Sequence, residues 1–343
     1  MDTLDKGKTH FLYGAAVFFS VVFTSVALIL FWPQQNSGKV AKVTVKSGIS
    51  LLQLAQQMKN NKLITNTSTF MWAAQLMGKE RKIPTGTFHL QDATNNYAII
   101  QQLVHGSPEL EKITFLEGWT VRQFANHLAE KLDLEAEKIE GLANREAFLR
   151  KHQINSSSAE GYLFPDTYLL SEHTDPESVL NILVNESRKF WTKAREYRAT
   201  ALGLTKHEIV TLASIIEGEA IYDDERPVIS AVYHNRLESG MKLQADPTIQ
   251  YIIDDGPRRL LTRDLRIKSP YNTYLHEGLP PGPINSPGKK SLLAALYPEE
   301  NEYLFFVAKG DGYHTFSKTE KEHNRAKKKL QKLRKALKRN RRK

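Results

Sequence analysis

The chain of 343 residues contains no cysteine, which excludes disulfide bonds, thiolate nucleophiles and cysteine-ligated metals. This absence also fits an oxidising compartment, where free thiols are a liability. The sequence has no glycine-rich phosphate loop and no Gly-x-Ser-x-Gly nucleophile elbow. The histidines do not recur at the spacing of metal ligands, and we expect neither a metal nor any other cofactor. The histidines considered for this are scattered along the chain: His234, His276, His314 and His323.

Acidic residues are absent from the C-terminal stretch 326–343, AKKKLQKLRKALKRNRRK, which holds 11 lysines and arginines. Because the net charge of the whole chain is +10, the rest of the chain has a net charge close to zero. The overall positive charge therefore says little about the chemistry of a functional site. Leu330, Leu333 and Leu337 recur at helical spacing. We expect this tail either to lie on anionic lipid or acidic wall polymers, or to be a solvated, frayed end.

One long apolar run, residues 11–32, carries no charge and is long enough to cross a bilayer. A cleaved signal peptide would have a shorter run followed by small residues, whereas here Trp32 and Pro33 follow. The pattern predicts a retained single transmembrane helix, preceded by a short N-terminal segment, 1–10.

The segment 205–220, TKHEIVTLASIIEGEA, predicts a helix that starts with a capping box of Thr205 and Glu208. Glu217 and Glu219 fall at opposite edges of its apolar arc, so the helical wheel does not choose between them. A carboxyl group held at such an edge loses hydration, which favours its protonated form, the form that a general acid requires. The alternatives are a glutamate satisfied by a buried partner and one at an exposed edge. The apolar face is formed by Ile209, Leu212, Ala213, Ile216 and Ala220.

Residues 43–58 align without gaps to residues 113–128, which predicts a repeated strand–turn–helix unit. Convergence of two capped helices on the same pattern would give the same match. From about residue 111 onward, short strands and capped helices mix without strict alternation, which predicts an α+β fold. The proline-rich segment 278–288, GLPPGPINSPG, predicts a stiff loop of the kind that often lines a site.

Several long motifs occur in a fixed order around ASIIEGEA, and together they closely resemble the endolytic murein transglycosylases, the YceG-like family. The resemblance covers residues 39–325 and implies a small LysM-like subdomain over 39–110, a mixed α+β catalytic domain over 111–325 and a separate basic tail over 326–343. It also implies that Glu217 is the catalytic acid. The motifs are EGYLFPDTYLL (160–170), VYHNRLESGMKLQADPTIQY (232–251), SPYNTYLHEGLPPGPINSPG (269–288) and YLFFVAKGDGYHTFSKTEKEH (303–323).

Members of that family cleave the MurNAc–GlcNAc linkage of nascent peptidoglycan within the strand and without water, leaving 1,6-anhydro-MurNAc ends. The resemblance implies that Glu217 acts first as acid and then as base. It also implies an inner-membrane protein with a cytoplasmic N-terminus, a periplasmic catalytic domain, penicillin-binding synthases as possible partners and no nucleic acid. The alternative function is a non-catalytic peptidoglycan-binding scaffold whose LysM-like unit is the active surface.

Eight further residues have the character needed to hold glycan hydroxyls, N-acetyl groups and peptide carboxylates. Arg236 would pair with a stem carboxylate, or else with Asp223 or Glu225 inside the protein. Asp246 would be a second carboxylate or a turn residue before proline. The tyrosines would stack on sugar rings or belong to the core. The eight candidates are Glu219, Asn235, Arg236, Gln244, Asp246, Tyr271, Asn272 and Tyr274.

Overall fold

The computed structural model describes residues 2–34, 40–46, 48–132, 134–172 and 174–340. Their secondary structure is mixed α and β, as the sequence predicts, and the strands form two-stranded sheets. The chain divides into two compact units, of which unit 1 comprises Met1–Lys112 and Leu169–Asp175, and unit 2 comprises Ile113–Tyr168 and Pro176–Lys343.

Unit 1 has a strand–helix–helix–strand order after a long N-terminal helix. Strands β1 and β2 pair antiparallel, with Val43 opposite Phe88, and both side chains are buried in the core of the unit. A capping box of Ser50 and Gln53 begins α2. The elements are α1 (Asp2–Phe31), β1 (Ala41–Val45), α2 (Leu51–Asn60), α3 (Thr67–Leu76), β2 (Gly86–Leu90) and α4 (Asn96–His105).

Helix α1 contains a 20-residue span, Leu12–Phe31, that is long and apolar enough to cross a membrane. Its C-terminal end belongs to the fold of unit 1, because Ile29 and Leu30 pack against the core of that unit. The side-chain amide of Asn96 donates a hydrogen bond to the Ile29 carbonyl at 2.8 Å. Gln34 N–H donates to the Thr94 carbonyl at 2.7 Å.

Unit 2 is mainly helical. Strands β3 and β4 form one sheet, and the division between the units falls within both; β5 and β6 form an antiparallel hairpin. The elements are β3 (Glu111–Thr114), α5 (Val121–Leu132), α6 (Ala136–Ala143), α7 (Glu146–Lys151), β4 (Thr167–Leu170), α8 (Pro176–Phe190), α9 (Lys193–Ala201), α10 (Lys206–Glu219), α11 (Arg226–Glu238), α12 (Asp246–Ile252), α13 (Lys289–Leu296), β5 (Phe305–Ala308), β6 (His314–Ser317) and α14 (Glu320–Asn340), with short 3₁₀ turns at Asp223–Glu225 and Asp264–Arg266.

The two aligned segments, 43–58 and 113–128, adopt the same local structure. Each runs from a strand through a glycine at positive φ into a helix, with Gly48 at φ 74° and Gly118 at φ 77°. Glycine adopts this left-handed backbone without steric cost. At the second helix, Thr120 N–H donates to the side-chain oxygen of Gln123 at 2.9 Å, and Gln123 N–H donates to Thr120 Oγ1 at 3.4 Å, which repeats both bonds of the first capping box.

Helix α10 is buried more completely than its sequence pattern predicts. The capping box of Thr205 and Glu208 is confirmed. However, every residue from Ile209 to Ile216 is buried, rather than one face alone, because α11, α12 and α13 all pack around this helix. The last turn of α10, which carries both glutamates, therefore emerges from the core of unit 2.

The basic tail is not frayed where it begins. Helix α14 continues from Glu320 through Asn340 and packs on the hairpin of β5 and β6. Leu330 is 8% exposed and lies against Gly310. The first part of this segment is therefore helical rather than frayed, although its side chains at 327–329 and 331–335 are exposed.

Candidate functional site

Glu217 lies in the last turn of α10, and its side chain is only 7% exposed. One carboxylate oxygen is 3.1 Å from an Nη1 nitrogen of Arg226, whose side chain is equally buried. The other oxygen accepts a hydrogen bond from the backbone N–H of Gly288 at 2.9 Å. Both contacts are hydrogen-bond donors to the carboxyl group. The expectation drawn from burial alone omitted this arginine, which lies nine residues further along the chain.

The Arg226 guanidinium is itself held from several directions. Its Nε atom is 3.0 Å from Asp223, and Nη1 also donates to the hydroxyl of Ser291. Asp223 also pairs with Lys290. Hydrogen bonds from Lys290 and Arg226 lower the pKa of Asp223. Glu217 therefore lies at the buried end of a connected network of charges.

The predicted stiff loop, 278–288, is fastened to α10 and reaches Glu217. Ile284 N–H donates to Ser214 Oγ at 3.0 Å, and the side-chain amide of Asn285 donates to the Ser214 carbonyl at 2.9 Å. Further along, Gly288 places its N–H against Glu217. The prolines of this loop and its anchoring on a buried helix position that donor with little freedom to move.

A second carboxyl, that of Glu117, lies beside the same loop. A Cβ atom added to Gly288 would lie 1.9 Å from the Glu117 Oε1 atom, so this carboxyl packs directly on the glycine. Burial, followed by the negative charge of Glu217, raises the pKa of Glu117. The site therefore combines two carboxyl groups and one arginine around Gly288.

Glu219 points to another side of α10 from Glu217, as the helical wheel indicates. Its Oε1 atom accepts a hydrogen bond from the Tyr233 hydroxyl at 3.1 Å. Burial is the main cause that raises the pKa of Glu219 to about 7, and the charge of Asp246 adds to it. Near neutral pH, Glu219 is therefore close to half protonated.

Glu219 lines a cavity of about 460 Å³ between the end of α10, the hairpin of β5 and β6, and α14. Gln244 in its wall has φ 50°, a conformation uncommon for residues other than glycine. The Tyr274 hydroxyl donates to the Asp246 carboxylate within this wall. Glu217 is not among the lining residues. Five of the eight predicted binding residues are: Glu219, Arg236, Gln244, Asp246 and Tyr274.

The polar groups of Asn235 and Asn272 are committed to the fold. The Asn235 side chain donates to the Asn301 and Tyr303 carbonyls, and that of Asn272 donates to the Leu265 and Ile267 carbonyls. These bonds fasten long connections to the helices.

Tyr271 contacts the ring of Tyr251, with ring centres 5.0 Å apart, and its hydroxyl lies near Gly282. This places Tyr271 against the stiff loop, outside the set of residues that line the cavity.

Arg236 forms neither of the two ion pairs considered as alternatives for it. Its guanidinium donates to the Leu304 and Leu243 carbonyls, both at 2.7 Å. Asp223 instead pairs with Arg226, and Glu225 is 2.8 Å from His314. The alternative of an internal ion pair for Arg236 was therefore wrong, because Arg226, the first residue of α11, pairs with Asp223 instead.

Sequence reasoning did not single out Glu117, Arg226 or Gly288 as parts of the site. A usable signal existed for Glu117, since it precedes the glycine of the repeated turn, where a carboxyl would be projected at the end of a strand. Nothing local to the sequence relates Arg226 to Glu217. Among the described residues, no group of three or more His, Cys, Asp or Glu side chains could hold a metal ion.

This chain is similar to known proteins over most of its length. The sequence model of the YceG-like family matches residues 43–329. A relative from Bacillus subtilis (strain 168) called endolytic murein transglycosylase is 32% identical over 313 residues, which cover 86% of each chain. A Streptococcus pneumoniae (strain D39) protein with the same name is 27% identical over 324 residues, covering 84% of this chain and 58% of its own length. The crystal structure of a YceG-like protein from Listeria monocytogenes superposes with a TM-score of 0.58 at 30% identity, covering 84% of this chain and 99% of that one.

Proposed function

The chain belongs to the YceG-like family, and on that premise we propose that it is an endolytic murein transglycosylase. The reaction is a lyase reaction. It cleaves the MurNAc–GlcNAc linkage within a glycan strand, and the C6 hydroxyl of the same muramoyl residue attacks C1 in place of water. The new end is a 1,6-anhydro-MurNAc residue.

The observation that carries this proposal is the buried Glu217 beside an arginine, a fixed backbone donor and a second carboxyl. Cleavage requires a proton on the leaving glycosidic oxygen and stabilisation of an oxocarbenium-like centre. The attacking hydroxyl is tethered to the substrate, so no activated water is needed. One carboxyl group therefore suffices: Glu217 donates a proton to the leaving oxygen and then accepts the proton of the C6 hydroxyl.

The contact with Arg226 favours the second half of this cycle. An ionised Glu217 is ready to stabilise positive charge at C1 and to accept a proton, whereas the first half requires Glu217 to be protonated while it faces Arg226. Hydrogen bonding by Gly288 keeps the carboxylate oriented in both halves.

The decisive experiment replaces Glu217 with glutamine and analyses products from un-crosslinked glycan strands by mass spectrometry. We expect Glu217→Gln to fold, with activity reduced by about 1,000-fold or more, because a group that transfers both protons is lost. The wild-type products should be anhydro-muropeptides, each lighter by one water than a hydrolysis product.

Two further variants make that experiment specific. Glu137→Gln, an equal change of charge at an exposed position on α6, should retain full activity. Glu219→Gln separates the two glutamates of α10. Full activity of Glu217→Gln together with an inactive Glu219→Gln would show that the acid is Glu219 and not Glu217. Hydrolysed reducing ends among the products would refute the lyase reaction.

The position of the protein in the cell is proposed from α1. A single span with a cytoplasmic N-terminus would leave both units on the outer side of the plasma (inner) membrane, where glycan strands are made. The strand–helix–helix–strand order of unit 1 supports our proposal that this unit is LysM-like and contacts glycan. Penicillin-binding synthases are the partners that this location favours.

A further inference from the structure

Two carboxyl groups flank one glycine in unit 2. Gly288 donates its N–H to Glu217 at 2.9 Å, while a Cβ atom on Gly288 would lie 1.9 Å from the Oε1 atom and 2.1 Å from the Cδ atom of Glu117. Only a residue without a side chain allows both carboxyls to approach this point. The absence of a Cβ at position 288 is thus a condition of the arrangement.

The position of Glu117 is set by backbone hydrogen bonds. Gly118, with φ 77°, turns the chain after β3, and its N–H donates to the Ser286 carbonyl at 2.9 Å. Ser286 N–H donates in return to the Trp119 carbonyl at 2.8 Å. A Cβ atom on Gly118 would be 3.6 Å from Cγ of Glu217, so the turn itself lies against the buried glutamate.

The two carboxyls differ in their access to solvent. Glu117 is exposed as a residue, whereas the side chain of Glu217 is 7% exposed. A glycan strand lying on this surface therefore meets Glu117 directly, and covering it removes water from both groups. Loss of water favours the neutral form of a carboxyl.

The charged groups around Glu117 have opposite effects on its pKa. Partial burial and the charge of Glu217 raise the pKa of Glu117, and Asp223 acts in the same direction, while Arg226 and Lys290 lower it. These groups come from each element beside the turn: α10, the 3₁₀ turn before α11, α11 itself and α13. Glu117 therefore lies in the field of the same arginine that pairs with Glu217.

We propose that Glu117 is a positioning residue that acts through Glu217, because its carboxyl lies beside the same glycine and its charge offsets that of Arg226 at Glu217. This inference rests on the proposed function. The negative charge of Glu117 counteracts Arg226 whenever the proton resides on Glu217, so Glu217 can be the acid in the first half of the cycle.

The test is the pH profile of kcat/KM for full-length Glu117→Gln in detergent, with un-crosslinked glycan strands as substrate. The basic limb of this profile reports loss of the proton from the free enzyme's essential acid. Removing the partner charge should move that limb to lower pH by about one unit, which is about tenfold in rate above the limb. The rate on the acidic side of the optimum should change little.

Two variants guard against a purely structural effect. Glu117→Asp keeps the charge at the turn and should restore most of the wild-type limb. Glu137→Gln removes an equal charge elsewhere in unit 2 and should leave the limb in place. Thermal unfolding of each variant shows whether the fold is retained.

Three outcomes would overturn this inference. An unshifted limb in a folded Glu117→Gln would show that the charge of Glu117 does not act on Glu217, and a limb that Glu117→Asp does not restore would point to shape rather than charge. Complete loss at every pH would make Glu117 itself the proton-transferring group. In each case an inactive Glu217→Gln, with anhydro products from the wild type, leaves the proposed function standing.

Discussion

Burial of a glutamate has different consequences at three positions in unit 2, and the partner decides which. Glu217 faces a buried arginine at 3.1 Å. Glu219 faces a tyrosine hydroxyl and another carboxylate, and burial raises its pKa to about 7. Glu160 accepts a hydrogen bond from Val121 N–H at 3.1 Å, and burial raises its pKa to about 8. A buried carboxyl is thus not by itself an acid ready for catalysis.

Glu160 makes stability depend on pH. Its pKa is higher in the folded protein than the usual value of 4.5, which applies to the unfolded chain. Its contribution to stability is therefore complete below about pH 4.5 and is lost as the pH rises through about 8. Glu160→Gln keeps an acceptor for Val121 but does not titrate, so its melting temperature should fall less between pH 5 and pH 8, by on the order of 5 °C.

Differential scanning fluorimetry across that pH range measures this effect, with Glu137→Gln as the control for charge. Parallel curves for Glu160→Gln and the wild type would show that Glu160 is ionised in the folded protein. Because Glu219 titrates in the same direction, some slope should remain in the Glu160→Gln variant.

At the scale of elements, the stiff loop 278–288 joins the buried helix to the site, and a glycine from a distant motif supports it. Gly161, with φ 82°, belongs to the segment EGYLFPDTYLL, and a Cβ atom there would be 2.4 Å from Cβ of Pro283. Gly203, after α9, has a similar φ of 70° but no atom within 4 Å of its added Cβ. Alanine substitutions at these two glycines therefore separate the cost of backbone strain alone from the added cost of a steric clash.

Gly203→Ala should lower the free energy of unfolding by about 1 kcal/mol, the cost of a left-handed residue with a side chain. Gly161→Ala should lower it by about 3 kcal/mol, because the new methyl group also displaces Pro283. Urea denaturation measures both values. Equal losses in the free energy of unfolding would show that the loop moves to accommodate Gly161→Ala without an energetic penalty. Activity would then also be unaffected.

At the scale of the whole molecule, α1 has two roles that separate along its length. Residues 12–31 form the span that can cross a membrane, and its last residues complete the core of unit 1. Removing this end would remove the partial burial of Ile29 and Leu30, worth about 1 kcal/mol each. The apolar span and the adjacent fold are therefore continuous in this part of the chain.

Two truncations test this continuity. Removal of residues 1–26 should release the protein from the membrane fraction while unit 1 remains protected from amide hydrogen exchange. Removal of residues 1–33 should also raise exchange across residues 41–103, with little change in unit 2. Identical exchange in the two truncated proteins would show that the end of α1 contributes nothing to unit 1.

Local sequence patterns predict the elements of this protein well, because their causes are local. Capping boxes at Ser50 and Thr205 begin helices where expected, and a glycine after a strand turns the chain in both copies of the repeat. The spacing of Glu217 and Glu219 alone separates them onto different sides of α10. The apolar run at the N-terminus identifies α1 without reference to any other segment.

Only the tertiary structure decided which groups surround those glutamates. Glu117 is 100 positions from Glu217 in the sequence, and Gly288 is 71 positions away, so no periodicity relates them. Packing of the turn after β3 and of the stiff loop against α10 brings these residues together. The state of an ionisable group depends on charges within a few ångströms, whatever their separation along the chain. The sequence therefore determined where the carboxyl groups would stand on their helix, and the fold determined which of them meet an arginine, a tyrosine or each other.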